Sequence, residues 1–239
     1  MKAVAALLFS LAALTSAGAH AASSTFDVDD EGWTIIGDAQ SGTGSPDYLA
    51  AGGNPGGHIA AADNVLGGTW YFQAPAKFHG DFSFAYGADL TFDLMQSSIS
   101  SQFDDEDVIL RGGGLFLTYD TSMNPGVAWT SYSVPLEETA GWTVGGSSPA
   151  AAPTAAEMMQ VLSDLTDLQI RGEYRSGSDT GSLDNVALIP APGGLSLAAA
   201  GLALAVRGGR RRGAQLARAP ATRQEPSPTG AAVSQRTAN

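Results

Sequence analysis

The side chains best equipped for chemistry in this sequence are its carboxylates. All but one of the 24 Asp and Glu lie within residues 22–189, where 23 acids face only Lys77, Arg111, Arg171 and Arg175, so the stretch carries a net charge of 4 − 23 = −19. Asp104-Asp105-Glu106-Asp107 gathers four acids ahead of an apolar run. Hard oxygen ligands clustered in a loop suit calcium, while most acidic runs of this kind are solvated surface. Glycoside hydrolysis needs two carboxylates about 5 Å or about 6.5–9.5 Å apart, and spacing along the chain singles out no such pair. His58 and His79 are 21 residues apart and outside any zinc-binding pattern. The chain has no cysteine and no Gly-x-Ser-x-Gly elbow, so nucleophilic hydrolysis has no visible machinery. An excess of acid this large repels nucleic acid and anionic lipid, which argues against both as partners of the domain.

The elements that must position these groups read as strands. Runs of Val, Ile, Thr, Phe, Tyr and Trp recur at short spacing between Gly, Pro, Asp and Asn, the pattern of an antiparallel all-β domain. Strands are expected near residues 33–37, 58–62, 69–73, 88–94, 108–110, 115–119, 129–135, 168–174 and 183–188. Gly67-Gly68 and Gly112-Gly113-Gly114 precede strands and read as turns or bulges; with no following helix and no Lys-Ser/Thr pair, they are not phosphate loops. One helix is expected from Ala155 to about Asp164. Thr154 and Glu157 form a capping box ahead of it, and Met158, Val161, Leu162 and Leu165 fall on one face. Without disulfides, the domain must be held by packing, hydrogen bonds or a metal.

Both ends read as processing segments. Lys2, an apolar core and Ala19-His20-Ala21 fit a secretory signal peptide over residues 1–21 with cleavage after Ala21. Near the other end, Pro190-Ala-Pro192-Gly193 leads into the apolar segment 194–206 and then Arg207, Arg210, Arg211 and Arg212. Thirteen residues as a helix reach about 20 Å against a bilayer core of about 30 Å, so transient membrane insertion fits better than a permanent anchor. Residues 190–212 resemble the PEP-CTERM sorting signal of bacterial surface proteins. That resemblance implies an exosortase-like processing enzyme acting near Pro190, Pro192 and Gly193. Ala191 replaces the family's Glu, and residues 213–239 form a further tail expected to be disordered.

Residues 22–189 carry a second resemblance. Asp30-Glu-Gly-Trp33, Gly68-Thr-Trp-Tyr-Phe-Gln-Ala-Pro-Ala-Lys-Phe-His-Gly-Asp81, Tyr86-Gly87, Asp107-Val-Ile-Leu-Arg-Gly112, Trp129-Thr-Ser-Tyr132, Ile170-Arg-Gly-Glu-Tyr174 and Leu183-Asp-Asn-Val186 occur in order. Together they resemble the laminin B domain, also called laminin domain IV. The resemblance implies a jelly-roll-like antiparallel β-sandwich, related in shape to carbohydrate-binding modules, with an architectural rather than catalytic role. It implies core positions for Trp33, Trp70 and Trp129, leaving Trp142 and Tyr48 as candidates for stacking on sugar rings. In carbohydrate-binding sandwiches of this shape the first and last strands often hold a structural calcium; the matching positions are Asp27, Asp29 and Asp184. The implied function is an exported, non-enzymatic surface or extracellular-matrix protein whose partners are surface polysaccharide or matrix components. The alternative is a carbohydrate-binding module for exopolysaccharide.

Overall fold

The computed structural model describes residues 21–42, 44–65, 67–145 and 149–189. Nearly all of the signal-peptide segment, the proline element with Pro190, Pro192 and Gly193, the apolar segment 194–206 and the tail 213–239 lie outside the described residues. Along the chain run β1 (Ala22–Ser24), β2 (Thr34–Ile36), β3 (Asp47–Gly53), β4 (Gly56–Asp63), β5 (Tyr71–Gln73), β6 (Asp89–Gln96), β7 (Val108–Gly112), β8 (Leu115–Tyr119), β9 (Thr130–Pro135), β10 (Thr143–Val144), α1 (Ala155–Ser163), β11 (Leu165–Arg171) and β12 (Asp179–Leu188). The strands form two antiparallel sheets. The first has the order β3-β4-β12-β6-β9, with β1 also paired to β12; the second has the order β10-β8-β7-β11-β5-β2.

Alternation along each strand turns one set of side chains inward. Leu90, Phe92 and Leu94 on β6 and Leu183, Val186 and Leu188 on β12 are buried in one core with Val108 and Leu110 of β7, Leu117 of β8 and Leu168 and Ile170 of β11. The odd spacing from Leu183 to Val186 is made possible by a bulge between Asp184 and Ala187, where Asn185 adopts φ 51°. The bulge keeps both apolar residues inside and leaves Asp184 on the outer face. β12 is the spine of the first sheet. Its first half pairs with β4 and its last three residues with β1, where Ala22 lies opposite Leu188.

All nine expected strands are present. β1, β3 and β10 were not expected, because they are short or built from Ala and Gly. Tyr48, expected in a loop, lies on β3. The capping box is present: the Glu157 amide donates to Thr154 Oγ1 at 3.2 Å, and the Thr154 amide donates to Glu157 Oε2 at 2.7 Å. The helix buries Met158, Val161 and Leu162 against β7 and β8, but Leu165 opens β11 instead of extending the helical face. Gly112 does more than turn the chain. A Cβ there would come within 2.3 Å of the Val161 carbonyl oxygen, so only glycine lets β7 pass beneath the helix.

Candidate functional site

The richest polar arrangement lies on the outer face of the first sheet. Asp184 on β12 and Asp93 on β6 are direct register partners and point away from the core. They are nevertheless buried, at 0% and 7% exposure, because the tip of the β3–β4 hairpin arches over them. The Asn54 amide donates to Asp184 Oδ2 at 2.6 Å and its side chain donates to Asp93 Oδ2 at 3.0 Å. From the bulge, Asn185 mirrors this with its amide to Asp184 Oδ1 at 2.7 Å and its side chain to Asp93 Oδ2 at 2.8 Å. The cover continues to the start of β9, where the Trp129 indole N–H donates to the Gly52 carbonyl at 2.9 Å. The His58 ring meets the Trp129 ring edge-on at 5.4 Å. At Gly53, a Cβ would fall 2.7 Å from Asp184 Oδ2 and 2.1 Å from the Gly57 carbonyl oxygen, so glycine is required where the hairpin touches the carboxylate.

Burial pushes the Asp184 carboxyl upward; the Asn54 and Asn185 amides oppose the shift, and Asp93 and Asp27 add to it. Burial also lowers the His58 imidazole. His58, the two amide-bridged carboxylates and the Trp129 indole edge form one hydrogen-bonded and packed cluster at the hairpin. They do not supply a nucleophile with a base beside it.

Asp27, Asp29 and Asp184 do not assemble into a calcium clamp. Asp29 Oδ1 accepts the Glu31 amide at 2.9 Å, Asp27 Oδ2 accepts the Thr25 hydroxyl at 2.8 Å, and both Asp184 oxygens accept amides. No group of three or more His, Asp or Glu among the described residues is arranged to hold a metal ion. Each of the three carboxylates is already held by donors of the protein, Asp27 by a hydroxyl, Asp29 by one amide and Asp184 by two.

The aromatic assignments change places. Trp142 is 1% exposed, donates its indole N–H to the Pro135 carbonyl at 2.7 Å and packs 5.1 Å from the Tyr119 ring. An indole enclosed in this way offers no face to a sugar, so Trp142 is a core residue. Trp33 and Trp70 are fully buried as expected, whereas Trp129 is half-buried. Tyr48 is half-buried, packs against the core and donates its hydroxyl to the Asp27 carbonyl at 3.1 Å. His79 is exposed. Ala21, at the expected signal-peptide junction, is exposed immediately before β1.

The acidic run divides by function. Asp107 is fully buried and pairs with Arg171, itself 0% exposed, at 3.4 Å. Arg171 also donates to the Asp105 carbonyl at 3.2 Å and the Phe103 carbonyl at 3.0 Å, and lies between the rings of Phe103 and Tyr174 at 4.6 and 4.5 Å. This pins the loop from within. Asp104, Asp105, Glu106 and Asp120 line a cavity of about 330 Å³ outside it. Hydrogen bonding between Asp105 and Glu106 pulls the first below, and pushes the second above, the usual carboxyl range.

Residues 71–202 match the laminin B (domain IV) family, from β5 past the end of β12. The chain belongs to the laminin B family. The strings that carried the resemblance are therefore packing solutions of this domain. Within Ile170-Arg-Gly-Glu-Tyr174, Arg171 is the internal pin, and a Cβ on Gly172 would strike Trp70 Cζ3 at 1.9 Å. Leu183-Asp-Asn-Val186 forms the bulge and its amide network. The laminin B chain is 30% identical over 181 residues to human laminin subunit gamma-1 and 32% identical over 179 residues to human laminin subunit gamma-2. These alignments cover 73% and 72% of this chain but 10% and 14% of the relatives, so it spans about a tenth of the length of the laminin subunits. Among solved structures, the L4b domain of human laminin alpha-2 is similar at 17% identity and TM-score 0.49, covering 56% of this chain and 80% of that one. A family 11 carbohydrate-binding module of a Clostridium thermocellum cellulosomal cellulase is similar at 16% identity and TM-score 0.40, covering 72% and 88%.

Proposed function

We propose that this chain is an exported, non-enzymatic surface or extracellular-matrix protein, in which a laminin B sandwich is the displayed cargo and the C-terminal segment sorts or retains it. One observation carries the reading. The first described strand begins at Ala22 and the last ends at Leu188, paired with each other, directly inside the Ala21 junction and the Pro190-Ala-Pro192-Gly193 element. Cleavage at both places would leave every strand intact. Residues 194–206 would then insert in the membrane only transiently, and an exosortase-like enzyme would release or attach the domain. Mass spectrometry of secreted and cell-bound material tests this: a species beginning at Ala22 and ending near Pro192 is expected. An intact C-terminus held in the membrane fraction would replace sorting with plain anchoring.

A second reading, recognition of exopolysaccharide, is favoured by the half-buried Trp129, the one tryptophan not enclosed in the core, beside His58. An indole face can cover the apolar C–H face of a sugar, and aromatic contacts are worth about 0.5–1.5 kcal/mol beyond buried area. Retention on the producing organism's polysaccharide should fall roughly tenfold in Trp129→Ala, since a factor of ten corresponds to about 1.4 kcal/mol. Unchanged retention by a folded variant removes Trp129 from the reading.

A further inference from the structure

At one end of the sandwich, acids from both sheets converge. Asp63 ends β4 and Asp179 begins β12; they are direct cross-strand partners, each 7% exposed. Like charges directly opposite on neighbouring strands destabilise a sheet. Asp38, after β2, and Glu173, after β11, come from the other sheet and line a cavity of about 420 Å³ with Asp63, Asn64 and Ser178. Gly67 makes room for this convergence, because a Cβ there would lie 2.1 Å from Asp38 Oδ2.

The hydrogen-bond inventory is short of donors. Asp38 Oδ1, Glu173 Oε2 and Asp179 Oδ2 are sealed from solvent and have no hydrogen-bond partner. Ser97 donates to the other oxygen of Asp179, and the Trp70 backbone donates to Glu173. The cations within reach are engaged elsewhere. Arg175 donates to the Ser100 carbonyl at 2.9 Å and to the Ser178 carbonyl, while Arg171 is committed to Asp107 and the 103–105 carbonyls. A buried carboxylate oxygen without a donor is costly, and two carboxyls that share a proton remove the deficit for both.

We propose that this end of the sandwich is a proton-operated clasp, in which carboxyls from the two sheets hydrogen-bond to one another when protonated and repel when ionised. Burial first, then Asp63 and Asp38, push the Glu173 carboxyl up to about 7. Burial, Asp38 and Asp179 push Asp63 in the same direction, with Arg175 opposing. A carboxyl raised in the folded state binds more protons there than in the unfolded chain, so stability falls as pH rises. For Glu173 the contribution is complete below its ordinary value of 4.5 and is lost as pH rises through about 7.

Thermal unfolding of the full chain between pH 5 and pH 8 at fixed ionic strength tests the clasp. The Tm should fall by several degrees across that range. Glu173→Gln should remove most of the fall and match or exceed the unaltered protein at pH 8, with Asp63→Asn acting in the same sense. Glu137→Gln, at an exposed site, should leave the slope unchanged and so separates the clasp from the general relief of acidic repulsion. A Glu173→Gln slope equal to that of the unaltered protein would overturn the proposal. If the variants fail to fold, carbon-13 NMR titration of the Glu173 carboxyl in the unaltered chain decides: a midpoint near 7 supports the clasp, and one between 4 and 5 defeats it.

Discussion

Arg171 shows how far one side chain can organise its surroundings. Fully buried, it holds Asp107, two backbone carbonyls and two aromatic rings. Removing one member of a buried ion pair leaves the other charge unpaired, at a cost of about 3–5 kcal/mol. Urea unfolding of Arg171→Ala should show a loss of that order; a loss below about 1 kcal/mol would mean that Asp107 finds solvent or another donor. Trp142 makes a related point. Truncating a buried tryptophan costs about 3–5 kcal/mol, so Trp142→Ala should lower the urea midpoint markedly, and any loss of glycan retention should follow the loss of folded protein. A Trp142→Ala protein of unchanged stability would return this residue to the surface.

At the scale of elements, the β3–β4 hairpin and α1 do different work. The helix closes over β7 and β8 through Met158, Val161 and Leu162, and its first turn depends on reciprocal bonds between Thr154 and Glu157. Thr154→Ala should destabilise the chain by about 1 kcal/mol, read as a lower urea midpoint with unchanged slope; a neutral result would mean that packing alone fixes the helix start. The hairpin instead covers polar ground. Its reach across β12 and β6 to Trp129 converts an outer sheet face into the Asp93–Asp184 network and sets the indole at its rim.

For the whole molecule, the question is what replaces disulfides in a chain without cysteine. Among the described residues a single core shared by two sheets, with Arg171 and the hairpin network closing its polar boundaries, takes that place, and Asp27, Asp29 and Asp184 are held by protein donors. Chelation with EDTA should therefore leave the Tm unchanged. A fall of several degrees, restored by calcium, would show that the amide-held carboxylates rearrange around an ion. The net charge of −19 over residues 22–189 belongs to this scale too. It includes buried carboxylates as well as exposed ones, and at the Asp38, Asp63, Glu173 and Asp179 end it is concentrated enough to link stability to pH.

The sequence by itself determined the fold class, nine strands, the capped helix and the family, because alternation, turn residues and a capping box are local patterns that a linear reading can detect. It also lacks cysteine and a Gly-x-Ser-x-Gly elbow. Only the tertiary structure decided which aromatics face solvent, since Trp129 and Trp142 have similar neighbours in sequence and differ only in what folds over them. β3 was not legible because Ala and Gly carry no alternating pattern, yet its tip is what buries Asp184. The pairing of Asp184 with Asp93, and the convergence of acids from three separate segments on one cavity with Asp179 paired beside them, come from sheet register and chain crossing. Those are properties of residues distant in sequence, which no local pattern encodes.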